Sequence, residues 1–343
     1  MVDILLGSLT IVGLSLFEIV SSIDNAVINA DVLSTMSGWA RRWFLIWGIL
    51  IAVFLIRGGL PFLVVYSLDP RLGFAGTIIA AFSDDPLLAR AIEGASPPLL
   101  MGGGVFLVFL FFHWLFLEEK SYGLAGEAHI EHKGVWFYAV VSVILTFIVW
   151  LSIQVNPILA FGAITGSTVF FITHGFRQNA EQRERDLITG EKRISDWSKI
   201  LYLEAIDASF SIDGVLGAFA FTFSVPLILA GNGIGAIVVR QLTVRNVHAI
   251  KRYRYLKNGA MYSIAFLGSV MLSRSFGFHL PEWLSPAATV LILAYFFEKS
   301  RRELNSAPSA DKDPTAPEYG PSDRKRHSAI AVRQSTQGRI SRV

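Results

Sequence analysis

The sequence predicts an all-α fold: a polytopic membrane helix bundle of about nine transmembrane helices with an inverted internal repeat. Three observations carry this reading. Mean hydropathy is +0.50 and 52% of the 343 residues are hydrophobic, more than an ordinary soluble domain of this size holds. Apolar runs long enough to cross a bilayer recur along the chain. An acidic motif is also written twice, at an offset of 189 residues.

Composition sets bounds first. Cysteine is absent, which excludes disulfides, thiolate metal sites and a cysteine nucleophile. Net charge is only +3, and the basic residues gather in loops and the tail. That distribution indicates membrane topology, not a nucleic-acid partner. Met1-Val2-Asp3 lacks a basic n-region, so the first apolar segment is expected to stay in the mature protein.

In order, the expected spans are 10–33, 43–66, 98–117, 135–154, 157–175, 200–222, 225–242, 259–275 and 285–298. The patch 73–82 is about ten residues long and runs into Asp84-Asp85-Pro86, which reads as interfacial or re-entrant. Residues 240–258 hold Arg240, Arg245, Lys251, Arg252, Arg254 and Lys257 with no acid, so the positive-inside rule makes them cytoplasmic. Counting outward places Arg41-Arg42, 118–134 and 176–199 inside. The N-terminus falls outside and the C-terminus in the cytoplasm. The location expected is the cell membrane (a bacterial inner membrane). Residues 1–304 form the membrane domain, with a first repeat at about 10–117 and a second at about 200–298. The mixed-charge stretch 176–199 reads as a solvated cytoplasmic helix or loop between the halves. Residues 305–343 read as a disordered basic cytoplasmic tail.

The repeated motif is Glu18-Ile-Val-Ser-Ser-Ile-Asp24-Asn25 and Asp207-Ala-Ser-Phe-Ser-Ile-Asp213-Gly214. On a helix, Glu18, Ser22, Asn25 and Asn29 share one stripe, with Asp24 and Asp31 on its edge. In the second copy the stripe is Glu204, Asp207, Ser211 and Gly214, with Asp213 on the edge. The topology makes the two copies antiparallel. A charge in mid-membrane costs about 2.5–3.5 kcal/mol on insertion scales, so these residues are expected to face the protein interior. Two facing wedges would gather carboxylate, amide and hydroxyl oxygens, a donor set that suits a hard divalent cation. Glu18 and Glu204 could relay protons. Arg57 and Arg240 are each carried by an apolar helix; Arg240 borders a cytoplasmic loop, and Arg57 sits deeper and is the better candidate for pairing with a site carboxylate. The bland reading is that they pair with the acids and hold helices together, or snorkel to the helix ends.

Other residues weigh less. His113 in Phe111-Phe112-His113-Trp114 is more often a packed, hydrogen-bonded histidine than a ligand. His129 and His132, flanking Glu131, are a weak metal candidate. Gly231, Gly233 and Gly235 follow no strand, so close helix packing or a flexible gate replaces the dinucleotide reading.

The two motifs resemble the paired signatures of the TerC family of membrane proteins, named for tellurium resistance. The likeness is closest to a TerC-like branch of unknown function and covers most of residues 10–300. It implies a place in the LysE-type transporter superfamily and manganese export from the cytoplasm. It further implies that Glu18, Asp24, Asp207 and Asp213 carry the ion, with Gly214 departing from Asn25 of the first copy. The expected function is therefore a transporter exporting a divalent cation, Mn²⁺ foremost, by alternating access. The metal is its substrate; no prosthetic group is expected, and the chain is not expected to be an enzyme. The expected ligands are Glu18, Asp24, Asn25, Asp207 and Asp213, supported by Ser22, Asn29, Glu204, Ser211, Gly214, Arg57 and Arg240. Expected partners are the metal ion, protons and membrane lipid. Two alternatives stand beside this: a membrane scaffold or assembly factor, and an intramembrane aspartyl hydrolase using Asp24 and Asp213.

Overall fold

A computed structural model describes residues 2–48, 50–51, 58–59, 62, 66, 73–81, 96–124, 126–131, 134–188, 195–245 and 252–306, with backbone alone at 2, 3, 24, 28, 31, 80, 81, 131, 179–188, 209, 210, 244 and 245. Among these residues there are helices and no strand. Met1–Arg302 forms one compact unit; the second, Glu303–Val343, lies mostly outside the described residues.

The first span is two helices end to end, α1 (Val2–Ser21) and α2 (Ile23–Ser34), joined at Ser22. Helical hydrogen bonds run on through the joint, from Ser22 N–H to the Glu18 carbonyl and from Ala26 N–H to the Ser22 carbonyl. Next come α3 (Gly38–Trp43), continued by a π-helical turn at Phe44–Gly48, and the nine-residue α4 (Gly73–Ala81). The nine residues of α4 rise about 14 Å at ~1.5 Å per residue; residues 82–95, which follow it, lie outside the described residues. Helix α5 (Pro97–Leu117) opens on two prolines, whose missing N–H groups cost nothing in a first turn. A short α6 (Glu127–Glu131) precedes α7 (Trp136–Val155). Asn156 separates α7 from α8 (Pro157–Ile188); its Oδ1 accepts from Ile158 N–H at 3.0 Å, and Pro157 takes the first helical position. Helix α9 (Asp196–Ala218) is capped by Ser195, which accepts from Ser198 N–H, and has Asp196 in its first turn. Helices α10 (Val225–Arg245), α11 (Leu256–Ser275) and α12 (Leu284–Ser306) complete the order.

By length and composition, five described helices can cross a membrane: Ile4–Ser21, Pro97–Leu117, Trp136–Val155, Pro157–Gln178 and Val225–Thr243. Helices α9, α11 and α12 stand where three more spans were expected and are long enough, at 23, 20 and 23 residues. Charged residues such as Glu204, Asp207 and Asp213 make α9 more polar than the five. Half of the expected span 43–66 lies outside the described residues, Arg57 with it. Of the two readings of 176–199, helix or loop, α8 makes 176–188 helical: it runs unbroken for 32 residues, out of the apolar stretch and into the charged one.

Helix α5 is the apolar centre. It packs on α8 and α11, and its Leu100, Met101, Val105, Phe106, Leu107, Phe109 and Leu110 are buried. In lipid the hydrophobic effect does not draw helices together, so close backbone packing must. Glycine supplies it. A Cβ on Gly162 would lie 2.5 Å from the Pro98 carbonyl oxygen, and one on Gly166 would overlap that of Gly102. On the outward side, α7 exposes Trp136, Tyr138, Val143, Phe147, Trp150 and Ile153, an apolar face suited to acyl chains. Helix α9 packs against α1, α2, α3, α5, α8, α10 and α11, which places its acids inside the bundle.

Candidate functional site

The polar stripe of α1 and α2 faces inward as its spacing requires: Glu18, Ser22, Asn25 and Asn29 are all buried. So are Asp207, Ser211 and Asp213 on α9, while Glu204 is half-buried. The two stripes meet. Asn25 Nδ2 donates to Asp207 Oδ1, and Asn29 Nδ2 donates to the same oxygen at 2.9 Å. One turn along the seam, Ser22 Oγ donates to Glu18 Oε1. The Glu18 carboxylate lies against Gly214: a Cβ there would come within 2.8 Å of Glu18 Oε2. Gly214 therefore stands where the first copy has Asn25 because Glu18 occupies the space an amide would need.

A third helix seats Glu18. On α10, a Cβ at Gly235 would lie 2.6 Å from Glu18 Cβ, and one at Gly231 would lie 2.5 Å from Leu14 Cβ. Ser15 Oγ donates to the Gly231 carbonyl at 2.9 Å. Gly231 and Gly235 of α10 thus form a packing surface for α1, one of the two roles expected of the repeat. Asn232, between two of those glycines, is fully buried, and neither its Oδ1 nor its Nδ2 has a hydrogen-bond partner. Leaving such an amide unpaired costs about 1–3 kcal/mol per group.

Two arginines meet the α9 acids. Arg240 of α10 places Nη2 3.6 Å from Asp207 Oδ2, with its guanidinium over the Phe44 ring at 4.1 Å. Arg177 of α8 pairs with Asp213 Oδ2 through Nη2. Four buried oxygens on α2, α9 and α10 remain without donors: Asn25 Oδ1, Asn29 Oδ1, Asp213 Oδ1 and Asn232 Oδ1. Both Glu204 oxygens likewise lack donors; the group sits beside Gly48 of the π-helical turn.

Glu18, Ser22, Asn25, Asn29, Asp207 and Gly214 lie along one seam, with Asp213 following on α9. Asp24 is in α2, but its side chain lies outside the described residues, as does all of Arg57. Among the described residues, no three His, Asp or Glu side chains are close enough together to hold a metal ion. The sequence reading missed Arg177, assigning it to the solvated connection, and Asn232, hidden in the glycine repeat. Continuing the helical period past residue 175 would have put Thr173, His174 and Arg177 on one face of α8.

The polar groups extend toward one end of the bundle. His113 Nδ1 lies 3.3 Å from Glu118 Oε1, and Lys257 Nζ lies 2.8 Å from Glu118 Oε2. Burial opposes ionisation of Glu118, but the His113 hydrogen bond and the Lys257 charge outweigh it. They hold its carboxyl far below the usual range. Nearby, Glu127 accepts from Gly123 N–H at 2.6 Å, Leu124 N–H at 3.0 Å, Asn258 Nδ2 at 3.1 Å and Tyr262 Oη at 2.8 Å. That set of donors fastens the 118–127 loop to α11.

Residues 23–305 match the model of a family described as "Protein of unknown function (DUF475)". The chain is also similar to a curated protein described as "Uncharacterized membrane protein YceF" from Bacillus subtilis (strain 168), with 24% identity over 122 residues. That stretch is 34% of this chain and 48% of the relative, so the chain spans about half the length of the curated relative it matches. No solved structure matches.

Proposed function

The chain belongs to the family described as protein of unknown function (DUF475), and from that premise we propose that it transports a divalent cation through the α1–α9 seam. The observation that carries this reading is the set of buried oxygens without donors, on Asn25, Asn29, Asp213 and Asn232, in a bundle that also buries the carboxylates of Asp207 and Asp213. An oxygen-only set with amide and carboxylate members suits Mn²⁺, Mg²⁺ or Ca²⁺. The resemblance to TerC proteins favours Mn²⁺ and export. Glu18 and Asp24 complete the proposed ligands.

In this reading the arginines are counter-charges. Arg240 and Arg177 neutralise Asp207 and Asp213 when no cation is bound. A divalent ion takes over that role, releasing the arginines, and its departure restores them. Neither carboxylate is left uncompensated, which would cost about 3–5 kcal/mol in a buried setting. The proposed orientation puts the N-terminus outside and residues 118–134 in the cytoplasm of a bacterial cell, following the loop charges.

The test is flux in vesicles holding the purified chain, with Mn²⁺, Mg²⁺ and Ca²⁺ compared. We expect Mn²⁺ flux that falls about tenfold or more in Asp207→Asn, Asp213→Asn and Asp24→Asn, a loss of about 1.4 kcal/mol or more. Absence of divalent flux in the parent chain, or unchanged flux in all three variants, overturns the proposal. The two Arg–Asp pairs also suit a membrane assembly factor, because they tie α8 and α10 to α9. Binding partners retained after the acids are neutralised would favour that second reading.

A further inference from the structure

The polar groups do not end at the seam. Arg177, which holds Asp213, is three residues from His174 on α8, so the two share a helix face. The His174 ring lies 4.0 Å, centroid to centroid, from that of His113 on α5. Glu118 and Lys257 follow beyond His113. Asp213, Arg177, His174, His113, Glu118 and Lys257 thus form one series drawn from four helices and the end of α5. The proposed cation site does not use the two histidines.

We propose that His113 and His174 form a proton-binding site whose occupancy is sensed by the Arg177–Asp213 ion pair. Histidine is the side chain whose ordinary pKa lies within the physiological range. Two imidazoles 4.0 Å apart repel when both are charged, so the pair takes up one proton as a unit. A proton on His113 is balanced by Glu118. The same proton on His174 faces Arg177 one helical turn away and weakens its hold on Asp213. Water at the Glu118 end supplies the proton, and an imidazole nitrogen receives it as N–H. The other neighbours are accounted for. Helix α7 offers the Phe137 ring, at 5.6 Å from His113, and Phe170 stacks on His174 at 6.0 Å. Glu127 of α6 is taken up by Gly123, Leu124, Asn258 and Tyr262. Lys257 of α11 is held by Glu118.

Coupling this proton to a cation rests on the transport reading, but the proton site itself does not. The first measurement therefore reads the proton directly. The full chain, labelled at its histidines, is placed in lipid nanodiscs and titrated by NMR from pH 5 to pH 8. The expected result is one proton taken up by the His113–His174 pair, not two. In Arg177→Gln the midpoint should move by about half a pH unit or more, because a like charge one turn away is gone. In His279→Gln, remote in the 276–284 connection, it should stay in place. The double variant Arg177→Gln/Asp213→Asn, which leaves no lone buried charge, guards against misfolding of the single change and should also move the midpoint. Independent uptake of two protons, no uptake, or midpoints unmoved in both Arg177 variants overturns the proposal. The second measurement is the pH dependence of Mn²⁺ flux in His174→Gln and His113→Gln, expected to flatten between pH 5.5 and 8. A parent chain without flux but with the single shared proton sinks the transport reading alone. Flux with unaltered pH dependence in both variants sinks the coupling.

Discussion

At the scale of single residues, Gly214 shows how the duplicated motif was adapted. The first copy ends in Asn25, whose amide reaches across to Asp207. The second ends in glycine because Glu18 Oε2 would be 2.8 Å from any Cβ at that position. Restoring the symmetry with Gly214→Asn should destabilise the protein, since overpacking a tight interior costs about 1–3 kcal/mol. Gly214→Ala should cost less than Gly214→Asn. Thermal unfolding of detergent-solubilised variants gives the ranking; equal stability of Gly214→Asn and the parent would contradict this geometry. The stripe Glu18, Ser22, Asn25, Asn29 was legible in sequence because the insertion penalty forces polar side chains on a membrane helix to one buried face. Asn232 was not legible. A single amide between glycines carries no periodic signal, and its significance depends on the partners it lacks.

Among the elements, α8 gives the clearest contrast between sequence and fold. Hydropathy ends its apolar run near residue 175, and that change in composition looks like a span boundary. The helix itself ignores the change, because backbone hydrogen bonding is indifferent to side-chain polarity once the turn is propagating. Arg177 thereby stays on the helix and turns inward to Asp213. Helix α5 has an opposite difficulty at its end, where Glu118 is an acid at the negative pole of the helix dipole. Lys120 Nζ compensates by donating to the Trp114 and Leu115 carbonyls at 3.0 and 2.7 Å. Lys257 and His113 stabilise the Glu118 carboxylate further. Since the folded pKa of Glu118 is depressed from 4.5, its contribution is fully present above that value. It is lost as pH falls from 4.5 toward the folded pKa. Lys257→Met should lower the melting temperature at pH 7 and have a smaller effect at pH 3. For a part-exposed pair the loss at pH 7 is about 1 kcal/mol or less. An equal effect at both pH values would show that the lysine acts through packing alone.

For the molecule as a whole, the all-α bundle and most helix positions followed from hydropathy and loop signals, because length and apolarity are physical requirements of a span. The polar membrane helices α9 and α11 fall below a strict apolar threshold and were found through the repeat and the loop charges. Orientation rests on those charges and has a direct test, as the chain holds no cysteine. Leu124→Cys and Phe278→Cys each introduce one thiol at an exposed position, on loops assigned to opposite sides. An impermeant maleimide should label Phe278→Cys on intact cells, and Leu124→Cys only after the cells are opened. The reverse pattern would invert the topology.

The glycine contacts between α5 and α8 bear on how this bundle can rearrange. Backbones nested at Gly102, Gly162 and Gly166 have no side chain between them to tilt or swing, so a small separation forfeits the whole contact at once. Those two helices are thus welded into a stator. In the proposed transport cycle any excursion of α9 is made against that fixed wall, and Arg177, rooted in it, is the contact with Asp213 that has to be released.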